Sequence, residues 1–301
     1  MNNHIRTRLA FVVALWLLGG ASAHSADLYV PAQGTSSSTG LIYDISPAGG
    51  VSSFVGGLSF PRGIAIDSSG NVFVGDFSAK IFKFTPSGNL SIFASNVFPF
   101  GLAFAPNGNL FEADGNGVIN EFTPAGVEST FATGLANVQG IACDAKGDVF
   151  LADGQNSIFK YTPSGSRSTF ASGLNGPVGL AFDPSGNLFA SAELAGTIYK
   201  FTPTGVRSTF ASGLTSPWGL ACDAKGDVYD AETTTGIIYE FSPSGARSTF
   251  ASGLAGPNMM SFDPPTVIPE PSSLFLMIGG TFGLIWCLAR QRTTCRAARR
   301  L

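Results

Sequence analysis

The chain has 301 residues, and Gly 38, Pro 18 and Phe 26 against Met 4 describe many short strands, many tight turns and a phenylalanine-filled core. Seven of the 17 bases are arginines near the two ends, so the stretch between carries a charge of about −9 without a basic patch, which excludes a nucleic-acid binder. Of the 4 cysteines, Cys143 and Cys222 occupy one position of two separated repeats, where other repeats carry Ile66, Phe104, Phe182 and Phe262; they read as apolar fillers, with no disulfide framework.

Residues 1–23 have the three parts of a secretory signal. Arg6 and Arg8 supply the positive start, Leu9 to Leu18 the apolar run, and Ala21-Ser22-Ala23 a small-residue cleavage site, with cleavage after Ala26 as an alternative.

Residues 24–264 are built on one repeated unit. A Gly-[Leu/Ile]-Ala core recurs at Gly63, Gly101, Gly140, Gly179 and Gly219, and Met259-Met260-Ser261-Phe262-Asp263 replaces it in the last copy. Each unit holds four short β-forming runs separated by turns such as Asp183-Pro184-Ser185-Gly186 and Thr162-Pro163-Ser164-Gly165. In these turns Pro presets φ and Gly accepts the positive φ that closes a hairpin. Four-stranded units spaced 38 to 40 residues apart predict an all-β, six-bladed β-propeller. The first unit, from Leu28 to Phe54, lacks a first strand, and the orphan 258–263 supplies it. The ring therefore closes on a blade shared between both chain ends.

The repeats resemble the NHL family and its six-bladed relatives, in which a strand ends in Ala-Asp. Ala113-Asp114 and Ala152-Asp153 match, with Gly75-Asp76 and Ala231-Glu232 close. The resemblance implies architecture more than function, since such propellers include binders, scaffolds, lactonases and lyases.

Strand direction puts Asp76, Asp114, Asp153, Glu193 and Glu232 on one face, around the channel mouth. Arg62, Phe100, Gln139, Val178, Trp218 and Asn258 enter the same rim, one from each blade. A carboxylate repeated in most blades reads as a strand-end hydrogen-bond acceptor, and the same ring could hold calcium through oxygen ligands. Arg62, Gln139, Trp218 and Asn258 differ between blades and are the preferred ligand contacts. No catalytic or metal-ligating residue is assigned: His4 and His24 are the only histidines, so the body has no histidine base, triad or metal ligand. The resemblance implies that a lyase of the streptogramin-inactivating branch would need a histidine, which the body lacks. Residues 144–148 and 223–227 read as hairpin turns rather than calcium loops, and Arg167, Arg207 and Arg247 as charges that protect outer strand edges.

Residues 265–301 form the last segment. Pro269-Glu270-Pro271 precedes an apolar run, a transmembrane helix over about 272–289, and the tail 290–301 with Arg290, Arg292, Arg296, Arg299 and Arg300. Arginines after the span place the tail in the cytoplasm and the body outside. This end resembles a PEP-CTERM sorting signal, which implies an exosortase-type processing enzyme as a partner and later transfer to the surface or medium. The sequence thus predicts an exported, envelope- or surface-associated binding and scaffold propeller with a polysaccharide or protein ligand. The alternative is a metal-dependent, lactonase-like hydrolase acting at the acidic rim.

Overall fold

A computed structural model describes residues 26–34 and 38–263. These residues form six antiparallel four-stranded sheets, each a blade of a propeller. Blade 2, for example, runs through Ile64–Ile66, Val72–Asp76, Lys80–Phe84 and Leu90–Ser95 from its inner strand outward. Blades 3 to 6 repeat it, with inner strands Pro99–Phe104, Ile141–Cys143, Pro177–Phe182 and Pro217–Cys222.

Blade 1 is made from both ends of the body. Ser261–Phe262 pairs with Leu28–Ala32, with Leu28 opposite Phe262 and Tyr29 opposite Ser261. Leu28–Ala32 then pairs with Gly40–Ile45, and that strand with Val51–Leu58. Beyond the ladder, Asp263 N donates to Asp27 O at 3.0 Å and Asn258 N to Pro31 O at 2.9 Å. The predicted shared blade is present.

Phenylalanine joins the blades. A second-strand ring packs edge-on against its own fourth strand and against the next blade's inner strand: Phe73 meets Phe93 at 5.0 Å and Phe104 at 5.1 Å. Phe150 repeats this with Phe170 and Phe182. At the closure Tyr229 meets Phe250 at 4.9 Å and Phe262 at 5.0 Å, so the seam uses the contact found elsewhere in the ring. Edge-to-face pairs add about 0.5–1.5 kcal/mol each to the burial of the rings. Cys143 and Cys222 are reduced and pack against these clusters.

The repeated glycine has a steric cause. Inner strands approach so closely that a Cβ on Gly140 or Gly179 would lie 2.2 Å from the carbonyl oxygen of Val178 or Trp218. On Gly219 it would lie 2.1 Å from Asn258 O. Only a residue without a side chain fits there.

Among the described residues no helix is long and apolar enough to cross a membrane. The predicted signal at 1–23, the Pro-Glu-Pro motif, the span at 272–289 and the arginine tail lie outside the described residues.

Candidate functional site

Each inner strand is entered through a rim residue just before its glycine position. In blade 2 that residue is Arg62, only 7% exposed. Its guanidinium lies 4.0 Å from the centre of Phe100, 5.3 Å from Trp218 and 6.0 Å from Phe77. Nη2 donates to Gln139 Oε1 at 3.3 Å. Side chains from blades 2, 3, 4 and 6 therefore meet at one point. Burial lowers the Arg62 pKa to about 10, with the carboxylate of Glu193 opposing the shift. The group stays charged at neutral pH, and neither of the two ion pairs among the described residues, Lys160–Asp148 and Lys200–Asp183, involves it.

Arg62, Gln139 and Trp218, singled out by sequence, are thus brought together. Asn258 is fully buried, and its Nδ2 donates to Pro61 O at 3.4 Å, bracing the shared blade against the residue before Arg62. Val178 is buried, and Trp218 packs with it and Met259 in one apolar cluster.

The acids do a different job. Asp76 accepts from Ser59 N at 3.0 Å and Ser78 N at 2.9 Å. Asp114 accepts from Phe98 N at 2.9 Å and Asn116 N at 2.7 Å. Asp153 accepts from the backbone of Gln155, Asn156 and Ser157. Glu232 accepts from Ser216 N at 2.8 Å and from Thr215 N. Each carboxylate ties a strand end to its loops, and Asp76, Asp114 and Glu232 are buried. Glu193 is offset from them by one residue. Ala192 takes the strand-end position, and Glu193 opens the 3-10 turn Glu193–Ala195 one residue later. Among the described residues no group of three or more Asp, Glu, His or Cys could hold a metal ion.

Three features escaped the sequence reading. A cup of about 300 Å³ opens beside Arg62, lined by Phe77, Phe98, Phe100, Gly115 and Asn116. Phe77 and Phe98 are each 42% exposed. The signal was there: phenylalanine occupies turn positions at 77 and 98 that Gly115 and Asn137 fill in later blades. Phe60, 6.2 Å from Phe77, has φ 46°, a costly backbone for a bulky residue. Lastly, Glu112 and Asp230 are fully buried where other blades carry Val74, Leu151 and Ala190. Glu112 accepts from Asn120 Nδ2 at 2.9 Å, and burial pushes its pKa up to about 8. Asp230 faces the backbone of Trp218, completes no hydrogen bond, and is held far above the usual carboxylate range by burial.

Burial also pushes the Cys143 thiol up to about 12, so it offers no thiolate nucleophile. The cluster offers stacking surfaces, one buried cation and amides, which are recognition chemistry.

No protein-family model and no curated protein matches the chain. Solved structures do. The nidogen/laminin complex contains a chain similar at TM-score 0.71 and 19% identity, over 80% of this chain and 99% of that one. A catalytically inactive virginiamycin B lyase from Staphylococcus aureus, with a histidine replaced by alanine and quinupristin bound, is similar at TM-score 0.60 and 16% identity. That match covers 80% of this chain and 94% of the lyase. A gluconolactonase from Xanthomonas campestris is similar at TM-score 0.59 and 18% identity, over 65% of this chain and 77% of that one. At these identities the likeness is one of fold.

Proposed function

We propose that this chain is an exported binding and scaffold propeller, held at the envelope or displayed at the surface, with its ligand contacts at the Arg62 end of the ring. One observation carries the reading: unlike residues from four blades, Arg62, Phe100, Gln139 and Trp218, converge beside a cup of about 300 Å³. Residues repeated in every blade build a ring, whereas blade-unique residues meeting at one point make an asymmetric site. Export rests on the signal-like 1–23 and on the Pro269-Glu270-Pro271 tail, for which an exosortase-type enzyme is the processing partner and the membrane the anchor. The resemblance of that tail to a PEP-CTERM signal supports a tie to extracellular polysaccharide.

Catalysis finds few groups here. The solved lyase lost activity with one histidine, and the described body contains none. The acids nearest the rim are engaged by backbone N–H groups. Calcium is the cofactor this ring would take if the hydrolase reading held.

The experiment compares the full chain, solubilised in detergent, with Phe98→Ala and Gln139→Ala variants for retention on surface material of the native host. Loss of retention at unchanged melting temperature is the expected result. Calcium- or zinc-dependent lactonase turnover that disappears in Asp114→Asn or Asp153→Asn would transfer the assignment to a hydrolase.

A further inference from the structure

From the Arg62 end of the ring we infer the ligand class: the cup takes one carboxylate-bearing pyranose unit of an acidic polysaccharide, its ring against Phe77 and Phe98 and its carboxylate toward Arg62. This rests on the binding reading above and adds the chemistry of the ligand.

Three observations lead to it. The cup has flat apolar walls, with Phe77 and Phe98 each 42% exposed and Phe77 tilted 38° to Phe100 at 5.9 Å. Such walls suit the apolar face of a sugar ring, and a volume of about 300 Å³ suits one ring rather than a helix. An extended peptide is disfavoured, because the backbone beside the cup is already paired. Phe98 N donates to Asp114, and Gly115 N donates to Phe98 O at 2.9 Å, so no free edge invites an added strand.

Charge selects the acid. Arg62 does not line the cup but packs against two residues that do, Phe77 and Phe100; it is only 7% exposed, and its Nε has no acceptor. A buried guanidinium without an ion-pair partner is costly, and its planar fork matches a carboxylate. Glu193 is the one acid whose field acts on Arg62, and it lies beyond ion-pair contact. It would compete with an incoming carboxylate without satisfying the cation.

The test is calorimetric titration of the full chain in detergent with oligogalacturonate and with the neutral galactose oligomer. Oligogalacturonate should bind and the neutral oligomer about tenfold more weakly or not at all. Phe98→Ala should abolish binding, and Arg62→Gln should reduce it about tenfold or more. Glu193→Gln, in a half-buried turn, should tighten it several-fold. Equal binding of both oligomers, unmoved by Glu193→Gln, would overturn the acidic class. If neither oligomer binds, a photo-crosslinker at position 98 separates the two claims. A trapped protein partner would defeat the saccharide and leave a binding module, whereas no adduct would defeat both.

Discussion

Glu112 and Asp230 make the stability of this propeller depend on pH in a direction opposite to that of most carboxylates. An ordinary Glu ionises near pH 4.5, and burial lifts Glu112 to about 8. Through that window the folded chain holds a proton that the unfolded chain has released, so stability falls as pH rises. Below 4.5 both states are protonated and the cost vanishes; above 8 it is fully present. A shift of this size corresponds to about 3–5 kcal/mol, and Asp230 adds a contribution of the same sign. For a body of this length that is a fall in melting temperature of about 6–15 °C between pH 5 and pH 9. Glu112→Gln keeps an acceptor for Asn120 and removes the titration, so its melting temperature should exceed the parent's at pH 9 and match it at pH 5. Differential scanning calorimetry of parent, Glu112→Gln and Asp230→Asn at five pH values would decide it. Parallel curves for parent and both variants would refute the argument.

Two further outcomes follow from the ring and one from the tail. Gly179→Ala would drive a Cβ to 2.2 Å from Trp218 O and should cost about 3 kcal/mol or more, read as a lowered urea midpoint. Phe262→Ala removes the ring that meets Tyr229 across the seam and should cost about 3–5 kcal/mol, comparable with the loss from Phe182→Ala at an ordinary interface. Replacing Pro269, Glu270 and Pro271 by alanine should leave membrane insertion intact and block release or surface transfer in the native host, read as a change in mass and compartment on fractionation.

The blade count was legible because the cause of the repeat is steric: five of the six touching inner strands carry glycine at one position, with Met259 there in the shared blade, and that spacing counts them. The seam was legible for a related reason, since a unit without a first strand and an orphan 258–263 are complementary. Glu193 stands one residue past the strand-end position, although Ala192-Glu193 looks like the Ala-Asp strand end. Counting from the glycine separates them: Asp153 lies 13 residues after Gly140, Glu193 lies 14 after Gly179. Arg62, Gln139 and Trp218 were found as unlike residues at equivalent positions. That they touch depends on side chains crossing the axis, which no repeat pattern encodes. Phe77 and Phe98 were passed over because a phenylalanine-rich chain hides exposed rings among buried ones. Glu112 and Asp230 were hidden by neighbouring strand-end acids, although an acid aligned with Val74 and Leu151 marks an anomaly.

The binding reading of this protein stands or falls on where a ligand meets the ring. Hydrogen–deuterium exchange on the full chain, with and without extracellular material from the native host, tests this directly. Slowed exchange in the segments around Arg62, Phe77, Phe98 and Asn116, with the outer strands unchanged, is the predicted result. Protection confined to the outer strands that carry Arg167, Arg207 and Arg247 would contradict it and move the binding surface to the outer belt of the propeller.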